Sequence, residues 1–311
     1  MKTIEILSRH PENPLITPDD IPGAMQVFNP SPVLFNDEII LLVSVVLFDC
    51  PYGGETRVAR SSDGIHFRID DQPFINLDKN VYPYSIAHQH VIDNRVTRIG
   101  DDYFILTPVA TRNFDGPCTI LGKTCDFNNY EVIDIVTLPR NRGASLFPEK
   151  INNQYFKLDR PGGGKGAYGA IWLSSSPDLV HWGRYRPLLA PFAPWGGTKI
   201  GPTPPIKTKD GWLVIIHGVH TPCDGPHYRI GALLLDLNDP CKIIGQTRSY
   251  LLAPEAEYEK NGVVDNVVFP CGAIWRPEKD ELMLYYGGAD TCICLASGSV
   301  EEILQACRNY R

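Results

Sequence analysis

The sequence predicts an all-β fold, specifically a five-bladed β-propeller with a short C-terminal helical segment. A strand-and-turn unit recurs five times, and its repeats are too far apart for a two-sheet sandwich. Helical periodicity is confined to one stretch near the end of the chain. In residues 34–44, 98–107, 150–158, 207–216 and 277–286 a polar turn leads into a strand rich in β-branched and aromatic residues. Each is followed by a second apolar strand and a short polar tag, at 61–67, 124–130, 175–182, 235–240 and 296–304. The spacing of about 50 to 70 residues suits four-stranded blades with loop insertions, whereas sandwiches place turns every ~8–12 residues without a higher-order repeat. The last tag runs into Val300-Glu-Glu-Ile-Leu-Gln-Ala-Cys, with apolar residues at helical spacing. Residues 1–311 are read as a single five-bladed propeller domain.

Composition narrows the function. With 43% hydrophobic and 21% charged residues the chain can bury a sizeable core, and a net charge of −7 argues against a nucleic-acid partner. No apolar run has the length of a signal peptide or a membrane span, so a cytoplasmic protein is expected. Nine cysteines without CxxC pairing read as reduced, mostly buried thiols. The expected partner is a small molecule, and a homo-oligomer is compatible with the sequence.

Three clusters could carry chemistry. In the first, Asp93 and Arg95 interrupt an apolar segment; from residue types alone Asp93 reads equally as a turn cap paired with Arg95 or as a functional acid. His88 and His90, two apart without an acidic cluster, do not make a metal site. The second cluster holds Arg140, Asn141, Arg142 and Arg160 among loop-forming residues, where arginines suit an oxyanion but also occur as solvated loop charges. The adjoining Pro161-Gly-Gly-Gly-Lys-Gly lacks the GxxxxGK[ST] spacing, so no nucleotide site is expected there. The third cluster brings Lys199, His217 and Tyr228 to strand ends, where His217 alone would more often be a satisfied core residue.

These clusters, with Phe28-Asn-Pro-Ser-Pro-Val, Leu146-Phe-Pro-Glu-Lys-Ile, Asn266-Val-Val-Phe-Pro-Cys-Gly-Ala and Tyr285-Tyr-Gly-Gly-Ala-Asp, resemble glycoside hydrolase family 130 over nearly the whole chain. The family comprises mannoside phosphorylases and related mannosidases on a five-bladed propeller. The resemblance implies Asp93 as proton donor and Asn29, Arg95 and Asp290 as sugar-binding residues. It implies a phosphate site of Arg57, Arg140, Asn141, Arg160, Lys199, His217 and Tyr228, with Arg60 and Arg142 as alternatives to Arg57 and Arg140. The family usually has Asp-Pro-Arg where this chain has Asp93-Asn94-Arg95, which predicts a less rigid loop.

The implied reaction is inverting phosphorolysis of a β-1,4- or β-1,2-linked mannoside, giving α-mannose 1-phosphate. Inorganic phosphate is the co-substrate, and no metal or other cofactor is implied. A hydrolase using water and a non-catalytic sugar-binding propeller are the rival readings. Tyr52, Tyr82, Tyr84, Trp195 and Trp275 could stack on sugars, and loops 47–55, 76–90 and 191–197 would select the acceptor.

Overall fold

The computed structural model describes residues 6–51, 53–77, 90–109, 116–162, 169–192 and 195–309. Five antiparallel sheets form the blades of a propeller. Blade 1 is Ala24–Phe35, Glu38–Leu47, Glu55–Ser61 and Arg68–Ile69. Blade 2 is Arg95–Ile99, Asp102–Val109, Cys118–Thr124 and Glu131–Ile135. Ser145–Leu146, Tyr155–Asp159, Ile171–Ser176 and Gly183–Leu189 make blade 3. In blade 4 the sequence is Lys199–Pro202 with Ile206–Lys207, then Trp212–His220, His227–Leu235 and Ile243–Gln246.

Blade 5 has Val268–Pro270 with Ile274–Arg276, then Glu281–Gly288 and Cys292–Ser299, but its outer strand comes from the other end of the chain. Ser8 and Arg9 pair antiparallel with Ser297 and Ala296. The fifth tag therefore turns into the helix Val300–Arg308, whose Ser299 side chain caps the Glu302 N–H and whose Val300, Ile303, Leu304 and Cys307 are buried. Arg9 locks the junction: its Nε and Nη2 each donate to the buried Glu259 carboxylate at 2.8 Å, alongside the Tyr286 hydroxyl at 2.7 Å.

Why the second strand of each blade is apolar without alternation follows from its burial on both faces. In Glu38–Leu47, Ile39, Leu41 and Val43 pack towards blade 5, while Ile40 and Leu42 pack towards blade 2. Leu213 and Ile215 likewise face blade 5, while Val214 and Ile216 face blade 3. The polar tags are Asx turns. One Asp63 carboxylate oxygen accepts from the Ile65 and His66 N–H groups, and Asp126, Asp178 and Asp236 do the same for their blades.

Five cysteines are buried, Cys50 is half-buried, and Cys125, Cys223 and Cys241 are exposed. No helix among the described residues is long and apolar enough to cross a membrane.

Candidate active site

Up-and-down strands put the starts of all first strands and the hairpins between second and third strands at one end of the propeller axis. There a cavity of about 440 Å³ is lined by side chains from every blade, among them Asn29, Asp93, Arg142, Arg160, Lys199 and Asp290. Arg140, Tyr228 and Phe269 complete its side-chain wall, with Gly116, Pro117, Gly162 and Gly169 exposing backbone to it.

Asp93 sits just ahead of the first strand of blade 2, in a left-handed turn at φ +58° that ends the buried pair Val91 and Ile92. It is 3% exposed, its N–H donates to Ser44 Oγ at 3.0 Å, and its carbonyl accepts from the Arg95 guanidinium. Asn94 is wholly buried: its amide donates to Thr56 Oγ1 at 2.7 Å and accepts from Thr107 Oγ1 at 2.7 Å. The looser loop expected from the missing proline is not what the structure has, because hydrogen bonds to blades 1 and 2 pin the residue in its place.

The Asp93 carboxylate receives a donor on each oxygen. Asn29 Nδ2 approaches Oδ1 at 2.6 Å; Arg142 approaches Oδ2 with Nε at 2.9 Å and Nη2 at 2.7 Å. Burial alone would raise the pKa of this carboxyl, but the charges of Arg142 and Arg95 and the hydrogen bonds from Asn29 and Arg142 outweigh it and hold it at about 2. Asp290, in the hairpin after Gly288, goes the other way: burial and the neighbouring Asp93 charge push it up to about 6. Gly287 lets Asn29 approach, since a Cβ there would lie 2.6 Å from Asn29 Oδ1.

The opposite wall is cationic. Segments 140–142 and 160–162 are tied together, with the Gly162 N–H on the Arg140 carbonyl at 2.7 Å and Arg160 Nε on the Arg142 carbonyl at 2.6 Å. Lys199 Nζ donates to the Tyr228 hydroxyl at 2.6 Å, which leaves the phenol's own hydrogen for another acceptor. Burial and then the charges of Arg160 and Arg142 bring Lys199 down to about 8. Burial, Arg142 and Arg95 bring Arg160 to about 10, still charged at neutral pH.

Not every residue singled out from the sequence lines the cavity. Asn141 and His217 are buried behind the wall. Asn141 donates to Asp159 at 3.0 Å and accepts from the Arg160 N–H, while the His217 ring lies 4.5 Å from that of Phe269. Burial, Arg160 and Lys199 keep His217 neutral, and neither ring nitrogen has a partner among the described residues. Arg95, 1% exposed, stands behind Asp93 with its guanidinium over the Phe269 ring.

Arg57 lies away from the cavity and is engaged by Glu55 at 2.6 Å; Arg60 also lies away, donating to the Phe127 carbonyl. Trp195 is buried core, and Trp275 packs between blades 4 and 5. Tyr52, Tyr82, Tyr84 and His88 lie outside the described residues. Among the described residues, no three His, Cys, Asp or Glu side chains are grouped to hold a metal.

The family model described as β-1,4-mannooligosaccharide phosphorylase matches residues 2–309. The chain belongs to glycoside hydrolase family 130. Within the family, the chain is 41% identical over 251 residues to a β-1,2-mannobiose phosphorylase of Listeria innocua, covering 80% of this chain and 67% of that one. It is 32% identical over 318 residues to a β-1,4-mannooligosaccharide phosphorylase of Ruminococcus albus, covering 98% and 92%. The solved Listeria innocua β-1,2-mannobiose phosphorylase, in complex with β-1,2-mannobiose, superposes with a TM-score of 0.87 at 32% identity over 97% of this chain and 99% of that one.

Proposed function

We propose that this family 130 protein splits a β-1,4- or β-1,2-linked mannoside with inorganic phosphate, inverting the anomeric centre to give α-mannose 1-phosphate and the acceptor sugar. One observation carries the reading: Arg160 and Lys199 line the cavity, and neither forms an ion pair with a carboxylate among the described residues, which leaves their charge for a phosphate dianion to balance. Hydrolysis by inversion would need a base to activate water, whereas phosphate arrives as an anion and has only to be positioned and its charge tolerated.

In this reading Asn29 and Asp290 hold the mannosyl ring beside Asp93. Arg140, Arg142, Arg160, Lys199 and Tyr228 hold phosphate, with Asn141 and His217 shaping the wall behind them. Phosphate attacks C1 as the glycosidic C1–O bond breaks, and Asp93 supplies the proton to the departing oxygen, directly or through a sugar hydroxyl. Arg95 supports Asp93 from behind, and Arg57 has no part. The reaction needs no cofactor beyond phosphate, and the three exposed thiols suit a reducing cytoplasm.

The test is incubation of the protein with β-1,2- and β-1,4-mannobiose and mannosyl-glucose, with and without inorganic phosphate. Phosphate-dependent release of mannose 1-phosphate is the expected result. Free mannose in both conditions would make the protein a hydrolase.

A further inference from the structure

Both oxygens of Asp93 are occupied by donors, Asn29 on Oδ1 and Arg142 on Oδ2. Arg142 fills both lone pairs of Oδ2 and sets its positive charge against the carboxylate, while Asn29 takes one of the two on Oδ1, so the arrangement as it stands favours the ionised form. Yet an acid that protonates a leaving group must first carry a proton. Withdrawal of the charged donor would free Oδ2 for a proton, and the two donors differ in freedom. Asn29 is buried at a left-handed irregularity of the first strand of blade 1, at φ +49°. The Arg142 side chain is 45% exposed and also lines the cavity beside Arg160 and Lys199.

Resting on the phosphorylase reading, we infer that Arg142 is a positioning residue that couples the proton on Asp93 to the arrival of phosphate. In the empty site it holds Oδ2 as a carboxylate; when phosphate enters, its guanidinium turns to the anion and Oδ2 takes a proton from solvent. Phosphate therefore binds with uptake of a proton. That proton then leaves on the new hydroxyl of the acceptor. The hydrogen brought in by hydrogen phosphate returns to solvent as mannose 1-phosphate ionises, so the cycle balances.

The other groups that face Asp93 do not provide this exchange. Arg95 is buried on the backbone carbonyl, while Arg160 is bound to the Arg142 carbonyl and Lys199 to the Tyr228 hydroxyl. Burial keeps the Tyr228 hydroxyl and the Cys271 thiol protonated, and burial and Arg142 hold His90 below its ordinary value. At pH 5 Lys199, at about 8, is already charged, and Asp290, at about 6, is mostly neutral. Proton uptake at that pH then belongs to Asp93 or to the imidazoles of His90 and His217, which burial and the neighbouring cations hold below their ordinary value, and D93N separates the two.

The experiment titrates the protein with sulfate, a dianion that carries no proton near pH 5, by calorimetry in buffers of different ionisation enthalpy. Wild type is expected to take up as much as about one proton per sulfate. D93N should abolish the uptake, D290N should keep it, and R142Q should lose most of it because Asp93 is no longer held as a carboxylate. In turnover, R142Q should move the basic limb of the kcat/KM profile for phosphate, which reports the phosphate-free enzyme, up by about 1–3 pH units, and R142K should restore most of the wild-type position. A merely structural arginine would lower kcat without moving that limb. Uptake that survives D93N, or a limb left in place by both R142Q and R142K, overturns the inference. Sulfate titration needs no turnover, so an error in the assigned reaction shows in the mannoside panel instead.

Discussion

Asn29 and Asp93, 64 residues apart, are joined by a 2.6 Å hydrogen bond, and both occupy left-handed backbone, at φ +49° and +58°. Asparagine and aspartate tolerate that region better than most residues, so the chemistry of the pair and the bend of its two chain segments are set together. N29A is expected to lower kcat/KM for the mannoside about 10- to 100-fold with little change in the KM for phosphate. Steady-state kinetics with each substrate varied in turn checks the split.

D93N should abolish turnover while the protein still folds. The Asp93 pKa is depressed to about 2, so its stabilising contribution, on the order of 2 kcal/mol, is present above about pH 4 and lost as pH falls through 2. Urea unfolding of wild type and D93N between pH 2 and 6 should converge at the acid end. A constant gap would deny the depressed pKa.

Lys199 must be charged to hold an anion, and its pKa lies at about 8. Phosphate affinity should fall as pH rises through that value. K199A should raise the KM for phosphate about 10- to 100-fold and flatten the dependence. An unchanged KM would remove Lys199 from the phosphate site.

Lys157 and Asp159 form an ion pair buried within blade 3, with Asp159 also receiving Asn141 at 3.0 Å and Ser174 at 2.7 Å. Removing one partner of such a pair leaves an uncompensated charge, so K157M should cost about 3–5 kcal/mol in denaturant unfolding. The variant should also raise the KM for phosphate, because Asn141 and the Arg160 segment lean on the same carboxylate. Loss of stability without that rise would confine the pair to the core.

Arg9 offers the contrast. It closes the ring on Glu259, away from the cavity. R9A should lower stability by about 2 to 3 kcal/mol, somewhat less than the loss of a fully buried partner, and leave kcat at 25 °C unchanged. A melt and a single rate assay decide it.

Periodic and local features were legible in the sequence; contacts made by blade neighbours were not. The five-fold repeat, the apolar second strands and the C-terminal helix follow from residue order, and Asp93 stands out as an acid in an apolar run. The hold of Arg142 on Asp93 spans 49 residues and exists only because blades 2 and 3 stand side by side. Arg57 shows the same limit at short range: Glu55, two positions away on the same strand and so on the same face, pairs with it, which residue order alone does not reveal. Phe269 stood in a motif already picked out, but nothing in an apolar run distinguishes a cavity wall from core.

The fifth blade is completed by the strand Ser8–Arg9, and the cavity draws Asn29, Asp93, Arg160, Lys199 and Asp290 from successive blades. Catalysis is thus a property of the closed circle and of no arc within it. A chain stalled with four blades formed does not run at four-fifths speed; it lacks one wall of the vessel and is silent. Activity in a preparation counts finished molecules, and a half-folded copy has no complete site in which to consume phosphate.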